Sequence, residues 1–372
     1  MTHPDFLIVG GGVIGLSLAW RLRAAGARVT VADAGAAAPP ATRAAAGMLA
    51  PSFEQSAGPL AQSLYNFSVA GLRQWEDFAQ TLEAASGVSV DYQPTGILGV
   101  AFTQEEADAL QRDYRRLLEE GAQAQWLSPQ EARALEPALA PDLAAGLFAV
   151  EDAQVDPLLV LAALKIAFEE AGGEFIANGR VAALRVDADK VCGVTLDDER
   201  LLSASVVIVA SGAVLAAQGE KPPPVFPVKG EATALAGAAA EFTRTIRGPG
   251  AYLCPKSDGR LVIGATEAPH DSSRHVRDDA IGTLKSRARR IAPVLARFDE
   301  ESRWAGLRPG TPDGAPILGP DPAGPDGLVY ALGHYRNGVL LAPATAQLLC
   351  DALLTGDSSP LLGAFSAARF HG

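Results

Sequence analysis

Arg308 stands in the stretch Trp304–Pro316, WAGLRPGTPDGAP, with Asp313 as the only acid among three glycines, three prolines and several apolar residues. A guanidinium in so apolar a segment needs an anion to meet, because an unpaired charge out of water is costly. The anion could be internal, with Asp313 or Glu231 as candidates. It could also be a bound carboxylate, which the planar guanidinium fork grips through two parallel hydrogen bonds. A second chemical signal lies at the other end of the chain. GGGVIG supplies G-x-G-x-x-G at Gly10, Gly12 and Gly15, and Asp33 follows twenty-three residues after Gly10. These glycines allow a tight turn, close approach of a pyrophosphate to the backbone, and close packing of helix on strand, and Asp33 would accept from a ribose hydroxyl. The pattern points to a dinucleotide without separating NAD from FAD; the structural alternative is a tight turn with no ligand.

The elements that must position these residues are readable. DFLIVG (Asp5–Gly10) is a continuous apolar run, as expected of a strand buried on both faces. GGVIGLSLAWRLRAAG has helical spacing and ends at Gly26, and ARVTVAD (Ala27–Asp33) is a second strand, completing a βαβ unit. Leu64, Phe67, Gly71, Trp75, Phe78 and Leu82 mark one face of a helix that ends by Gly87. Thr103 with Glu106, and Ser128 with Glu131, are capping-box pairs that start two more helices. A helix is expected from Asp156-Pro157 to Gly172-Gly173, followed by strands at 174–177, 181–186 and 191–196 and a buried strand running into the Ser211-Gly212 turn, all matching the opening βαβ unit. GEATALAG, AYLCPKSDGRLVIGAT and the stretch before Arg308 suggest strands of an antiparallel sheet, with a hairpin turn at Ser257-Asp258-Gly259. GLVYALGH is a last buried strand, and the segment from Asn337 reads as a helix. The Arg308 stretch itself reads as a rigid loop, and the Pro-rich segment 218–227 as a domain crossing.

Bulk properties narrow the partners. The 372 residues carry a net charge of −12, which argues against nucleic acid or an anionic membrane, since both require basic surface. Cys192, Cys254 and Cys350 are far apart with no C-x-x-C, and there is no H-x-x-x-H, so neither a dithiol centre nor a metal site is expected. The N-terminal apolar run lacks a basic flank, so a cytoplasmic location is expected. There is no second G-x-G-x-x-G. If the dinucleotide is FAD, the substrate must therefore reduce it and a small acceptor must reoxidise it.

Together IVGGGVIG, TRAAAGMLAP (Thr42–Pro51), FPVKGE (Phe226–Glu231), GRLVIGAT (Gly259–Thr266), WAGLRPGTPDGAP and GHYRNGVLLAPAT (Gly333–Thr345) resemble the FAD-dependent D-amino acid oxidase superfamily, in particular its glycine oxidase branch, the ThiO enzymes of thiamine biosynthesis. The resemblance implies an α/β chain: an FAD-binding Rossmann-like (GR2-type) domain of residues 1–86, 151–217 and 306–372, interleaved with an antiparallel-sheet substrate domain of 87–150 and 218–305. It implies oxidative deamination of glycine or another small amino acid or amine. Hydride passes to non-covalent FAD and molecular oxygen becomes hydrogen peroxide, and the imine supplies thiazole synthesis. A homo-oligomer is expected, with thiazole synthase as a further partner. Two alternatives are a flavin dehydrogenase of D-amino acids or secondary amines with another acceptor, and a non-catalytic subunit of a heteromeric amine dehydrogenase.

By the same resemblance, Arg308 grips the substrate carboxylate, Tyr252 caps it, and Arg336 stands at the active site. The cofactor is held by Gly10, Gly12, Val13, Ile14, Gly15 and Asp33, by the loop residues Thr42, Ala46, Gly47 and Met48, and by Val181 at the adenine. Ser211 and Gly212 join them, as do His334, Arg336, Asn337, Gly338 and Val339 beside the flavin, where a helix N-terminus would face the charge that collects on reduction. Met48 and Glu267 are substrate-pocket candidates; Glu267 departs from the branch pattern, which has an apolar residue there, and could draw the substrate ammonium or point to solvent. Each role has a structural alternative: an ion pair for Arg308 or Arg336, strand packing for Tyr252, and a satisfied core position for His334.

Overall fold

The computed structural model describes residues 4–35, 41–54, 58–213, 222–356 and 359–371. Two sheets organise the chain. The first has six strands in the order Ile317–Pro320, Leu328–Leu332, Val206–Val209, Phe6–Val9, Val29–Ala32 and Glu174–Ile176. All neighbours are parallel except the edge pair Ile317–Pro320 and Leu328–Leu332. Phe6–Val9 is central, and side-chain alternation divides it between two cores. Phe6 and Ile8 join the helices Val13–Ala24, Ala61–Ser86, Pro157–Glu170 and Gly338–Thr355 on one face. Leu7 and Val9 join a small antiparallel sheet, Val181–Asp187, Lys190–Leu196 and Leu201–Leu202, on the other. Burial on both faces is why the strand is apolar at every position. Helix Gly338–Thr355 is apolar and long enough to cross a membrane by composition alone, but it is packed as a core helix.

The second sheet has nine strands. Its centre is the long strand Phe226–Leu235, paired with Leu261–Gly264, Ala268–Pro269 and, along its whole length, Glu300–Gly310. Ala251–Pro255, Thr245–Gly248, Ile97–Ala101, Ala145–Ala149 and Ala124–Leu127 extend it. Helix Asp278–Ile291 covers one face with Ile281, Leu284, Ala288 and Ile291, packed in one cluster with Leu98, Ile246, Leu253 and Ile263.

Both capping boxes form, at Thr103 with Glu106 and at Ser128 with Glu131, and Gly87 caps the helix Ala61–Ser86 in the left-handed region. Three expectations change. Arg308 lies on a strand, not a loop, because Glu300–Gly310 keeps its antiparallel register to Gly310. A boundary at 305/306 would cut that strand, so the whole of it stays with the nine-stranded sheet. The strands at 181–186 and 191–196 leave the parallel sheet and form their own antiparallel layer against it. The boundary at 217/218, the first part of the Pro-rich crossing and the tip of the loop after Asp33 lie outside the described residues.

Candidate active site

A cavity of about 710 Å³ runs between the two sheets. At one end the turn after Phe6–Val9 is shaped by contacts that leave no room for side chains. Gly10 has φ +112°, and a Cβ there would lie 2.5 Å from Ala210 O; a Cβ on Gly15 would lie 2.0 Å from Gly10 O. Asp33 closes the turn, with Oδ2 accepting from Gly11 N at 2.7 Å and Oδ1 from Gly35 N at 2.8 Å. Thr42 Oγ1 accepts from Val13 N at 3.1 Å, tying the loop after Ala41 to the first helix. That helix has no side-chain cap and no acid in its first turn, so its remaining N-terminal N–H groups and positive end are left for an anion.

The helix Gly338–Thr355 also starts at the cavity without a side-chain cap or an acidic first turn. Two polar atoms in the wall, Ser211 Oγ and Asn337 Oδ1, are buried with no partner. Buried polar atoms without partners are uncommon and costly. Uncapped helix starts, crowded glycines and these two atoms make a lining that fits a dinucleotide. His334 is buried beside them, its Nε2 3.1 Å from Thr345 Oγ1, and burial pushes it down to about 3, so it is neutral near pH 7.

The other end is built from the nine-stranded sheet. Arg308 lies over Gly230, where a Cβ would fall 2.4 Å from both Nη atoms. Its Nη1 donates to Thr266 O at 3.2 Å, and it has no ion-pair partner among the described residues. The two internal acids are otherwise engaged: Asp313 pairs with Arg369 at 2.7 Å, and Glu231 with Arg277 at 3.0 Å and Lys229 at 3.7 Å. Tyr252 packs over Gly264, where a Cβ would fall 2.2 Å from its hydroxyl, and burial pushes the phenol up to about 12, so it stays an O–H donor. Glu267 does face the cavity but is not free. It accepts from the Tyr335 hydroxyl and from Arg336 Nη2. Burial acts to raise its carboxyl, and these two partners outweigh it and hold it below the usual carboxylate range. Arg336 is thus ion-paired, also 3.8 Å from Glu54, which in turn bonds Arg247 at 2.6 Å.

The cavity wall brings together the expected residues from Gly10 to Val339 with two exceptions. Gly15 lies behind the turn, where it packs helix against backbone. Val181 turns its side chain into the apolar cluster with Leu7 and Val207, so it offers the cavity no side chain. Sequence reasoning missed the rim: Glu54, Arg247, Arg274, Arg277 and Arg287 line it as well. Arg287 is carried by the helix Asp278–Ile291, whose acid-first, basic-last ends and apolar spacing were the available signal.

Comparisons with known proteins agree with this geometry. The chain is 34% identical over 379 residues to the glycine oxidase of Geobacillus kaustophilus, covering 100% of this chain and 99% of the relative. The crystal structure of glycine oxidase from that organism superposes with a TM-score of 0.91 at 33% identity, covering 99% of each chain. The bifunctional protein ThiO/ThiG of Synechocystis sp. is 37% identical over 376 residues; the match takes in 99% of this chain but 54% of that longer protein. The family of FAD-dependent oxidoreductases designated DAO matches residues 5–352. With a cavity that fits a dinucleotide at one end and presents an unpaired arginine at the other, the chain belongs to the DAO family of FAD-dependent oxidoreductases.

Proposed function

We propose that the chain oxidises glycine or a closely similar small amino acid, using bound FAD and molecular oxygen, and releases an imine that serves thiazole synthesis. Arg308 carries this reading: a guanidinium in the cavity wall with no carboxylate of its own, seated over a glycine, is a receptor for a ligand carboxylate. Tyr252, kept protonated by burial, donates to the same carboxylate. Gly10, Gly12, Val13, Ile14 and Asp33 hold the nucleotide half of the cofactor, with Thr42, Ala46, Gly47 and Met48 along its length. Ser211, Gly212, Asn337, Gly338 and Val339 close over the remainder, the two unpartnered polar atoms finding acceptors or donors there. FAD, when bound, supplies the two-electron oxidant. The protein need only orient the substrate and exclude water, since His334 is neutral and Glu267 is committed to Arg336 and Tyr335. Two relatives named ThiO/ThiG or glycine oxidase, one of them a fusion, support both the substrate and thiazole synthase as a partner.

The test is anaerobic mixing of purified holoenzyme with glycine, sarcosine and D-alanine while the flavin absorbance is followed, then admission of air with peroxide detection. Bleaching by none of them overturns the reading; bleaching with slow reoxidation in air replaces the oxidase by a dehydrogenase. In Arg308→Lys the charge remains and the fork is lost. We expect apparent KM for the amino acid to rise at least about tenfold, the factor that ~1.4 kcal/mol represents. An active variant with unchanged KM removes Arg308 from the carboxylate role.

A further inference from the structure

A buried polar cluster lies outside the machinery described above. Asp152 is 1% exposed and immediately precedes Ala153–Gln154, the strand paired with Met48–Leu49. Its Oδ1 accepts from Ser52 Oγ at 2.8 Å, and its Oδ2 is buried with no partner. The Ser52 carbonyl accepts from Arg116 Nη2 at 3.0 Å. Arg116 pairs with Glu120 at 2.7 Å, stacks over the Tyr65 ring, and leaves its own Nε buried and unpartnered. Two elements distant in sequence therefore converge on Ser52, through Asp152 and Arg116. Two residues further along, Glu54 bridges Arg247 at 2.6 Å and Arg336 at 3.8 Å on the cavity wall.

We propose that Asp152 is a positioning residue, which through Ser52 fixes the short segment to Glu54 and so sets where Glu54 holds Arg336 against the substrate end of the cavity. The inference rests on the reading of Arg336 as a substrate contact. Asp152 acts in its neutral form. Burial pushes its carboxyl up to about 8, against the Ser52 hydrogen bonds and the field of Arg247, which lower it, and with Glu151, which raises it. Tyr65, pushed up to about 12 by burial and Glu120, does not compete in this range, and Arg116 is committed to Glu120. Loss of the Asp152 proton to solvent places a buried anion near Arg247. That anion competes with Glu54 for Arg247, frees Glu54 to draw Arg336 out of line, and opposes any bound carboxylate. Carboxylate binding therefore weakens as pH rises through the Asp152 range.

Glycolate is a suitable probe, because it has the carboxylate of glycine but no group that titrates from mildly acidic to alkaline pH. Its Kd for the holoenzyme is measured calorimetrically across that range. We expect wild-type Kd to be at least about tenfold weaker at about pH 9.5 than at about pH 6.5, as binding through a competent protonated fraction requires. Asp152→Asn should bind with the wild-type low-pH Kd at every pH, and Asp152→Ala, which leaves Ser52 without its acceptor, should bind weakly throughout. An Asp152→Asn profile that follows wild type, or an Asp152→Ala Kd equal to wild type near neutral pH, overturns the proposal. If glycolate binds at no pH, the substrate reading fails. The positioning claim is then judged by a thermal-unfolding double-mutant cycle of Asp152→Asn with Glu54→Gln at alkaline pH. Non-additive effects support it, and additive ones overturn it.

Discussion

At the scale of single residues, the arginine and tyrosine of the site depend on side chains that are not there. Arg308 can lie flat on the sheet because Gly230 has no Cβ, and Tyr252 lies over Gly264 in the same way. Gly230 is not in the left-handed region, so alanine fits its backbone and collides only with the end of the flexible Arg308 side chain. We expect Gly230→Ala to fold with its flavin and to lose at least about tenfold in carboxylate affinity, or ~1.4 kcal/mol. Glycolate binding and flavin content measured on one preparation check this; wild-type affinity would show that the guanidinium does not need that surface. Asp152 allows a second test. Its folded value lies above the ordinary carboxylate value, so the native state binds more protons than the unfolded chain between about pH 4 and pH 8, and this group's contribution to stability falls as pH rises through that window. Asp152→Asn removes the titration. Its Tm relative to wild type should climb from acid to neutral pH and level off above about pH 8. A constant difference across the window would mean that Asp152 is not neutral in the folded protein.

At the scale of elements, what could be read from the chain was what local chemistry dictates. The helix Ala61–Ser86 shows its buried face in Leu64, Phe67, Gly71, Trp75, Phe78 and Leu82, and Thr103 and Ser128 announce helix starts through their own capping boxes. The stretch before Arg308 was readable as a strand, but its continuation through Arg308 to Gly310 was hidden, because glycines and prolines signal a loop locally while the register is imposed by Phe226–Leu235, some eighty residues earlier. The rim pairs Glu54–Arg247 and Glu267–Arg336 were hidden for the same reason: each joins segments distant in sequence. Gly71 was legible as a helix-face position, but its purpose was not. A Cβ there would lie 2.7 Å from Leu340 O, to which Trp75 Nε1, one turn on, donates at 3.1 Å. The contact seats the first turn of Gly338–Thr355, whose N-terminus lines the cavity. Gly71→Ala should cost about 1–3 kcal/mol by overpacking and weaken flavin retention. Thermal unfolding and release of flavin fluorescence on dilution measure the two effects, and destabilisation without flavin loss would separate this helix from cofactor binding.

At the scale of the whole molecule, charge is distributed against the average. The chain carries −12, yet its cavity is lined by Arg247, Arg274, Arg277, Arg287, Arg308 and Arg336 against only Asp33, Glu54, Glu267 and Asp279. A positive cleft on an acidic body focuses anions toward itself and repels bulk cations, and added salt screens that field over about 10 Å at 0.1 M. Arg274 and Arg287 lie exposed at the rim with no acid paired to them among the described residues; Arg287 donates only to the Gly250 carbonyl at 3.1 Å, and both contribute their charge to the field. Glycolate association should therefore slow by about tenfold or more between low and high ionic strength, within the range that electrostatic steering contributes. Its dissociation, governed by the half-buried Arg308 end, should change little. Stopped-flow measurement of both rates, repeated with the Arg274→Gln/Arg287→Gln double variant, separates capture from grip. The variant should associate slowly at every salt concentration and dissociate as wild type does. A salt-insensitive association rate in wild type would mean that the anion finds Arg308 by diffusion alone.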